Sequence, residues 1–255
     1  MINSINAHNL YDEAFALLIS SWEQIMDCID LINPGVDISR LTDDQISEIL
    51  DEHKSYIINN KVHKRKVATS LVIAQQSAEI YLKARLYERK PELIFVNSNY
   101  KTVDSSKLIR IYNQNFETNI DADFARKYEK MRKLRNDFTH LLSYHDDKLI
   151  ENVLDYILHI NEVFGGGSNF MHRMVNDNSN IDISILLAGS CYEYMDKYNH
   201  YLINAFDYLK RSKVKKYFGI DIKRKMLPCN HCKNLGSYKT SQVINGAVRC
   251  LICHP

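Results

Sequence analysis

The chain has 255 residues, of which 45% are hydrophobic and 25% charged, a composition typical of a globular protein with a sizeable core. Its formal net charge of +2 is too small to indicate a nucleic-acid partner by itself, so any such partner must be argued from local clusters. No apolar run is long enough to span a bilayer, and the first residues lack the order of a secretory signal. We therefore expect a cytoplasmic protein with no membrane partner.

Helical periodicity dominates the first 164 residues. Apolar residues recur at three- and four-residue spacing, and no segment alternates with a period of two, so this region is predicted to be all-α. The predicted helices span residues 10–31, 42–57, 67–89, 105–112, 124–143 and 149–164. A capping box at Thr42 opens the second of these helices, and Asp147 is the predicted N-cap of the last.

Residues 165–168 read Gly-Gly-Gly-Ser and are typical of a linker. We therefore predict three domains: a helical domain at 1–164, a helical extension at 169–225 and a small terminal domain at 226–255. A short helix at 170–175 and a Tyr-rich helix at 183–209 are expected in the extension. Its tyrosines could stack on bases, but aromatic residues at helical spacing usually pack in a core, and this interpretation is preferred.

The segment 210–225 holds eight cations against the single acid Asp221. Lys and Arg contacts to phosphates give affinity for nucleic acid that does not depend on sequence. The predicted nucleic-acid contacts are Lys213, Lys215, Lys216, Lys223, Arg224 and Lys225. The alternative is that these residues are merely solvated surface.

Four cysteines form two Cys-x-x-Cys pairs, Cys229 with Cys232 and Cys250 with Cys253. Two such pairs can hold one tetrahedral Zn²⁺, and a complete four-thiolate set makes the zinc structural rather than catalytic. The stretch between the pairs contains Asn-Gly flanked by β-branched residues, which predicts a hairpin and hence a small zinc ribbon. Disulfides are the poorer alternative in a cytosolic chain, and His231 or His254 is a weaker choice of ligand. The remaining cysteines, Cys28 and Cys191, are predicted to be buried small hydrophobes.

The predicted helix 124–143 carries the sequence Arg135-Asn136-Asp-Phe-Thr-His140. Its apolar stripe leaves Arg135, Asn136 and His140 on a polar face, where Asn136 and His140 are four residues apart and stack. A guanidinium suits phosphate, and an imidazole can take or give a proton near neutral pH. An ordinary solvated helix face is the alternative explanation for these residues.

Two features together resemble the HEPN superfamily (higher eukaryotes and prokaryotes nucleotide-binding domains). One is the helix with Glu79-x-x-x-Lys83, and the other is the later helix with Arg135, a polar residue directly after it, and His140. The resemblance covers roughly residues 1–164. It implies a helical bundle that acts as a homodimer, in which the motif helices of two copies form one composite, metal-independent RNase site.

The resemblance also implies the chemistry and the biological setting. His140 is expected to act as general base or acid, Arg135 to hold the phosphate, and Asn136 to orient the site, with Glu79 pairing with Arg135. The substrate would be tRNA or mRNA, and a 2′,3′-cyclic phosphate would be formed. Toxins and phage-defence effectors are common in the family, so an antitoxin or a sensor is the expected class of partner protein.

The chain departs from some HEPN toxins, which carry Tyr two residues after the motif His as a site of nucleotidylation. Here that position is Leu142, and the nearest tyrosine that follows is Tyr144. Control by that route is therefore not expected. The alternative function is a non-catalytic helical dimerisation module whose zinc ribbon binds nucleic acid or a partner protein.

Overall fold

The computed structural model of the protein describes residues 6–30, 60–96, 101–141, 148–176, 191–229 and 240–252, together with positions 48 and 52. Within these residues the chain is mostly α-helical, with a two-stranded antiparallel sheet towards the C-terminus, as predicted. The predicted helix at 42–57 lies largely outside the described residues. The helices are α1 (Ala7–Asp30), α2 (Lys61–Arg89), α3 (Ser105–Asn115), α4 (Ala122–Leu141), α5 (Leu149–Phe164), α6 (Phe170–Asn176), α7 (Cys191–Tyr208) and α8 (Arg211–Phe218), and the strands are β1 (Ser241–Ile244) and β2 (Ala247–Cys250).

The chain divides into two compact units. The first unit consists of the described residues within Met1–Ile25 and Ile58–Asp147. The second consists of those within Met26–Ile57 and Lys148–Pro255. This division differs from the predicted boundary after residue 164, because α5 belongs to the second unit, where it contacts α6, α7 and α8. Nine consecutive residues of α5, 153–161, are buried, and a helix buried on every side must lie at the centre of its unit.

Helices α1 and α2 carry the predicted apolar stripes, and α1 belongs to the first unit as far as Ile25. In α1 the stripe from Phe15 to Ile29 is buried, and in α2 so are all six predicted core residues: Val67, Leu71, Ala74, Ala78, Leu82 and Leu86. Helix α2 begins six residues before the predicted start. The side chain of Asn60 caps it by accepting hydrogen bonds from the amides of Val62 (2.9 Å) and His63 (3.4 Å).

The contact between α1 and α2 contains a buried seam of serines. Ser21 Oγ donates to the carbonyl of Ser70 (2.8 Å), and Ser70 Oγ donates to the carbonyl of Ser21 (2.7 Å). Farther along, Ser77 Oγ donates to the carbonyl of Ala14 (2.6 Å). All three serine side chains are fully buried, so their hydroxyls are satisfied by the facing helix and not by water.

Helices α3 and α4 complete the described part of the first unit and pack against α2. The predicted start of α3 at residue 105 is confirmed, and Asp104 caps it by accepting from the amide of Ser106 (2.8 Å). In α4 the predicted stripe of Met131, Leu134 and Phe138 is buried. Burial of that stripe fixes which face of α4 remains polar.

The glycines after α5 form a tight turn inside the second unit. The backbone amide of Gly165 donates to the carbonyl of Asn161 (2.6 Å), and a Cβ at Gly165 would lie only 2.4 Å from that same oxygen. The Asn161 side chain accepts from Arg173 of α6 (2.6 Å) and donates to the carbonyl of Ser168 (2.9 Å). Residues 165–168 therefore join α5 to α6 at short range, where the sequence had predicted a linker between domains. The N-cap position of α5 is Lys148, whereas the sequence had favoured Asp147.

The C-terminal hairpin has the predicted Asn-Gly turn. Asn245 (φ 52°) and Gly246 (φ 81°) both have positive φ, as a type I′ turn requires. Ser241 pairs with Cys250 and Val243 with Val248 across the strands. Leu227 adds a further antiparallel bridge to Ser241, so the chain before the first cysteine pair is held against β1.

Candidate active site and nucleic-acid interface

Arg135 of α4 forms an ion pair with Glu79 of α2, as predicted. Arg135 Nη1 lies 2.7 Å from Glu79 Oε1, and both side chains are largely buried, at 22% and 15% exposure. Gln75, one turn before Glu79, lies 3.4 Å from the same oxygen through its amide nitrogen. An ion pair with a partly buried carboxylate restricts the guanidinium to one position on the polar face of α4.

Asn136 lies beside the other edge of the Arg135 guanidinium. Its Oδ1 is 3.4 Å from both Nε and Nη2 of Arg135, at the long end of the hydrogen-bond range. Glu79 therefore binds Nη1 at short range, and Asn136 lies next to the Nε–Nη2 edge. That edge has the planar, two-donor geometry that matches a phosphate.

Tyr128 supports this part of α4 from inside the first unit. Its ring is buried, and its hydroxyl donates to the carbonyl of Ser105 (3.0 Å). Burial, assisted by the negative charge of Glu79, raises the pKa of Tyr128 well above its usual value, although Arg135 and Arg132 oppose this. The phenol therefore stays neutral and acts as structural support, with no nucleophilic character at ordinary pH.

Arg132, one turn before Arg135, is engaged differently. It binds Glu129 of its own helix through Nε (2.9 Å) and Nη2 (2.7 Å). This bidentate contact lowers the pKa of Glu129. Because its fork is already occupied, Arg132 is a natural control for Arg135.

His140 lies in the last turn of α4, and its side chain falls outside the described residues. Helix geometry separates its backbone from that of Arg135 by roughly 7.5 Å along the axis and about 140° around it. Arg135 and Asn136 are thus brought together with Glu79, and the backbone of His140 is placed on the same helix. A groove of about 500 Å³ between α3 and α4, lined in part by Arg110, Gln114 and Glu129, lies beside the earlier turns of α4.

The hairpin brings two of the four predicted metal ligands to one end of the small sheet. Cys229 follows Leu227, which bridges Ser241, and Ser241 is paired with Cys250. Both cysteines are buried thiols, as is Cys28 in its predicted core position. Cys232, Cys253, His231 and His254 lie outside the described residues, as does the side chain of Cys191.

The turn after Cys250 is held by three polar contacts. The amide of Ile252 lies 3.4 Å from Cys250 Sγ, and the amide of Leu251 donates to the carbonyl of Thr240 (3.0 Å). His172 of α6 places a ring nitrogen 3.3 Å from the carbonyl of Ile252, the residue directly before Cys253. Buried thiols with an amide directed at a sulfur fit a thiolate–zinc site, and a contact from outside the hairpin supports the second cysteine turn.

Within the basic segment, the cations divide into two sets. On α8, Lys213 Nζ lies 2.9 Å from Asp155, and Lys216 Nζ lies 2.7 Å from Glu162, both acids being on α5. The Tyr217 hydroxyl also donates to Asp155 (2.6 Å). Lys213 and Lys216, two of the six predicted nucleic-acid contacts, are therefore engaged inside the second unit.

The other four predicted contacts, Lys215, Lys223, Arg224 and Lys225, have exposed side chains. None of the four forms a salt bridge within the described part of the chain. The predicted set of six thus separates into two lysines that pair with acids of α5 and four cations that form no salt bridge among the described residues. The acids of α5, spaced by four and seven residues, form a charged face that could have predicted these lysine pairs, but this signal was missed.

The Tyr-rich helix contributes to the core, as the preferred interpretation had it. Tyr198, Tyr201 and Tyr208 of α7 are buried, and Tyr201 donates a short hydrogen bond to Asp27. Burial also raises the pKa of Tyr208. These three rings are packed within the second unit and are not offered to a base.

No helix in the described ranges is both long enough and apolar enough to cross a membrane. Comparison with known proteins gave no matching family model, no matching curated protein and no matching solved structure.

Proposed function

We propose that the chain is a metal-independent endoribonuclease of the HEPN type, in which Arg135, Asn136 and His140 of two copies form one composite site. A toxin or phage-defence effector is the biological role that goes with it. The observation that carries the proposal is the Arg135–Glu79 ion pair, because it fixes a guanidinium, with Asn136 beside it, on the helix whose last turn contains His140.

In the proposed reaction, a ribose 2′-hydroxyl attacks the adjacent phosphorus. Its proton passes to an imidazole of His140, and the bond from phosphorus to the 5′-oxygen breaks. That oxygen takes a proton from an imidazole, leaving a 2′,3′-cyclic phosphate and a 5′-hydroxyl. Arg135 stabilises the charge that grows on the phosphate oxygens, and Asn136 orients the guanidinium. Zinc, where bound, would be held by Cys229, Cys232, Cys250 and Cys253, and would stabilise the ribbon without entering the reaction.

A second candidate is a non-catalytic dimerisation module whose ribbon binds nucleic acid or protein. One observation favours it: an arginine that only joins two helices would also form a partly buried pair with a glutamate. The two candidates differ in whether the parent protein cleaves RNA, and Arg135→Lys tests whether Arg135 acts in that cleavage or only joins the two helices. The lysine keeps the positive charge opposite Glu79 but loses the fork.

We expect Arg135→Ala to reduce the rate of RNA cleavage by about a hundred- to a thousand-fold, the usual effect of removing one preorganised transition-state donor. Arg135→Lys should restore the fold but not the rate. The measurement is single-turnover cleavage of a labelled RNA in the presence of EDTA. Arg132→Lys is the matched control, because Arg132 already binds Glu129, and its rate should equal that of the parent protein. Full activity of Arg135→Lys would support the purely structural role.

We also expect the protein to be a homodimer at working concentrations. A polar helix face that bears a guanidinium and an imidazole can complete a two-fold site only when a second copy meets it. Light scattering coupled to size exclusion measures the molar mass directly. A mass of one chain throughout the concentration range in which RNA is cleaved would remove the composite site.

A further inference from the structure

The loop between α8 and β1 carries three consecutive cations, Lys223, Arg224 and Lys225. All three side chains are exposed, and Ile222 beside them is 37% exposed, so this stretch contributes little to the core. A loop without core side chains normally has little to hold it in one conformation. Here the loop is held by polar contacts from three directions.

The first contact comes from Gln242 of β1, whose side chain is buried, at 3% exposure. Its Oε1 accepts from the amide of Asp221 (3.0 Å), and its Nε2 donates to the carbonyls of Asp221 (2.8 Å) and Arg224 (3.4 Å). A single buried amide thus binds both ends of the cationic loop to the hairpin. Because a buried amide must be satisfied, this arrangement strongly favours one loop conformation.

The second contact comes from Arg211, which donates to the Asp221 carboxylate through Nε (2.8 Å) and Nη2 (2.6 Å). The third comes from the backbone amide of Lys223, which donates to the same carboxylate (3.1 Å). Together they lower the pKa of Asp221 to about 2. Its carboxylate therefore stays ionised, and its charge is matched by Arg211. The only acid of the basic segment is thus used to hold the loop, with its hydrogen bonds going to Arg211 and to the backbone of Lys223.

Two further exposed cations adjoin this loop. Arg249 of β2 lies directly opposite Gln242 in the strand register, so the two side chains share one face of the hairpin. Lys215 follows Arg211 by one helical turn and lies on the same side of α8. Neither has an acidic partner among the described residues.

We propose that Lys215, Lys223, Arg224, Lys225 and Arg249 form a preorganised anchoring surface for the phosphate backbone of RNA, with Asp221 and Gln242 as its positioning residues. The choice of RNA as the polyanion rests on the proposed function. The contacts above hold the backbone of the loop at Asp221, Lys223 and Arg224, while Lys215 is placed by α8 and Arg249 by the strand register. A row of cations with no intervening acid matches a chain of phosphates, and ordering the cations in advance reduces the entropy lost on binding. Lys213 and Lys216 are excluded from this surface.

The test uses the 255-residue chain, loaded with zinc and carrying His140→Ala, so that bound RNA is not cut. Fluorescence anisotropy measures its affinity for a labelled single-stranded RNA over a series of salt concentrations. The triple variant Lys223→Gln, Arg224→Gln, Lys225→Gln should bind more weakly. The slope of log affinity against log salt should fall by about two, since each phosphate contact to a single strand contributes about 0.7. The matched control, Lys213→Gln with Lys216→Gln, removes two charges that face α5 and should leave this slope nearly unchanged.

Gln242→Leu tests the positioning role, because it keeps every charge and removes only the contacts that fix the loop. It should weaken RNA binding and reduce the salt slope, while circular dichroism and zinc content stay at parent values. If Gln242→Leu does not fold, Asp221→Asn serves instead, since it breaks the charged pair with Arg211 and leaves the amide of Gln242 in place.

Unchanged affinity and salt slope in the triple variant would overturn the anchoring surface. So would a triple variant that binds RNA as the parent does but no longer binds phosphatidylserine vesicles, because the cations would then serve a membrane surface. These outcomes can be told apart from failure of the proposed enzyme. The triple variant is also tested for RNA cleavage with His140 restored. If it cleaves RNA at saturating protein, and its RNA affinity and salt slope equal those of the parent, the anchoring surface is wrong and the enzyme stands. If His140→Ala cleaves at the parent rate while the triple variant loses RNA affinity, the enzyme fails and the anchor stands.

Discussion

His140→Ala is expected to lose RNA cleavage by about a hundred- to ten-thousand-fold, the usual effect of removing one general acid–base group. The fold should survive, because the buried stripe of α4 consists of other residues, Met131, Leu134 and Phe138. The measurement is single-turnover cleavage of a labelled RNA in EDTA, with the product ends analysed for a cyclic phosphate and a 5′-hydroxyl. His8→Ala is the matched control, since His8 is 82% exposed and belongs to the same unit.

The outcome decides between the two candidate functions. A His140→Ala protein that is folded by circular dichroism, dimeric by light scattering and still active at the parent rate would contradict the enzyme. The binding module would then take its place. Brief treatment with EDTA should leave the rate unchanged, and activity should fall only when a stronger chelator removes zinc and the ribbon unfolds.

Purified protein is expected to contain about one zinc per chain, measured by elemental analysis. Structural zinc contributes roughly 10–16 kcal/mol of apparent binding free energy in small isolated domains, so Cys250→Ser should lose both the metal and the hairpin. The hairpin depends on this position, because Cys250 is buried, pairs with Ser241 and lies next to the turn that His172 contacts. The matched control is Cys28→Ala. Cys28 is buried in α1, away from the hairpin in sequence, so this variant protein should still contain zinc. A protein that is free of metal and retains the amide protection of β1 and β2 would contradict the zinc ribbon.

Local periodicity predicted the helices well, because the buried face of each helix shows in its own sequence as apolar residues at three- and four-residue spacing. The bounds of α5 were predicted to the residue, and the buried stripe of α1 was predicted along its whole length. The start of α2 was missed by six residues, although Asn60 is an ordinary N-cap residue placed directly before it. The hairpin was predictable because Asn-Gly specifies its own turn.

Contacts between distant segments were harder to predict, since charge composition does not say which way a side chain faces. Lys213 finds Asp155 and Lys216 finds Glu162 more than fifty residues away, and no local pattern in the basic segment separates these lysines from Lys215. Likewise, the glycines at 165–168 have the composition of a spacer, and only the proximity of Asn161 shows that Gly165 sits in a close-packed turn. The pairing of Glu79 with Arg135 could be anticipated only because the family resemblance suggested it.

The serine seam between α1 and α2 fixes the register of the two helices. Ser21 and Ser70 each donate to the other's carbonyl, so sliding one helix along the other by a single residue would break both bonds at once and bury two unsatisfied hydroxyls. Ser77 sets the same register only two residues before Glu79. Gradual shear between these helices is therefore disfavoured. Any movement of Glu79 along the axis of α2 requires α1 and α2 to move together, or all three serine hydrogen bonds to break.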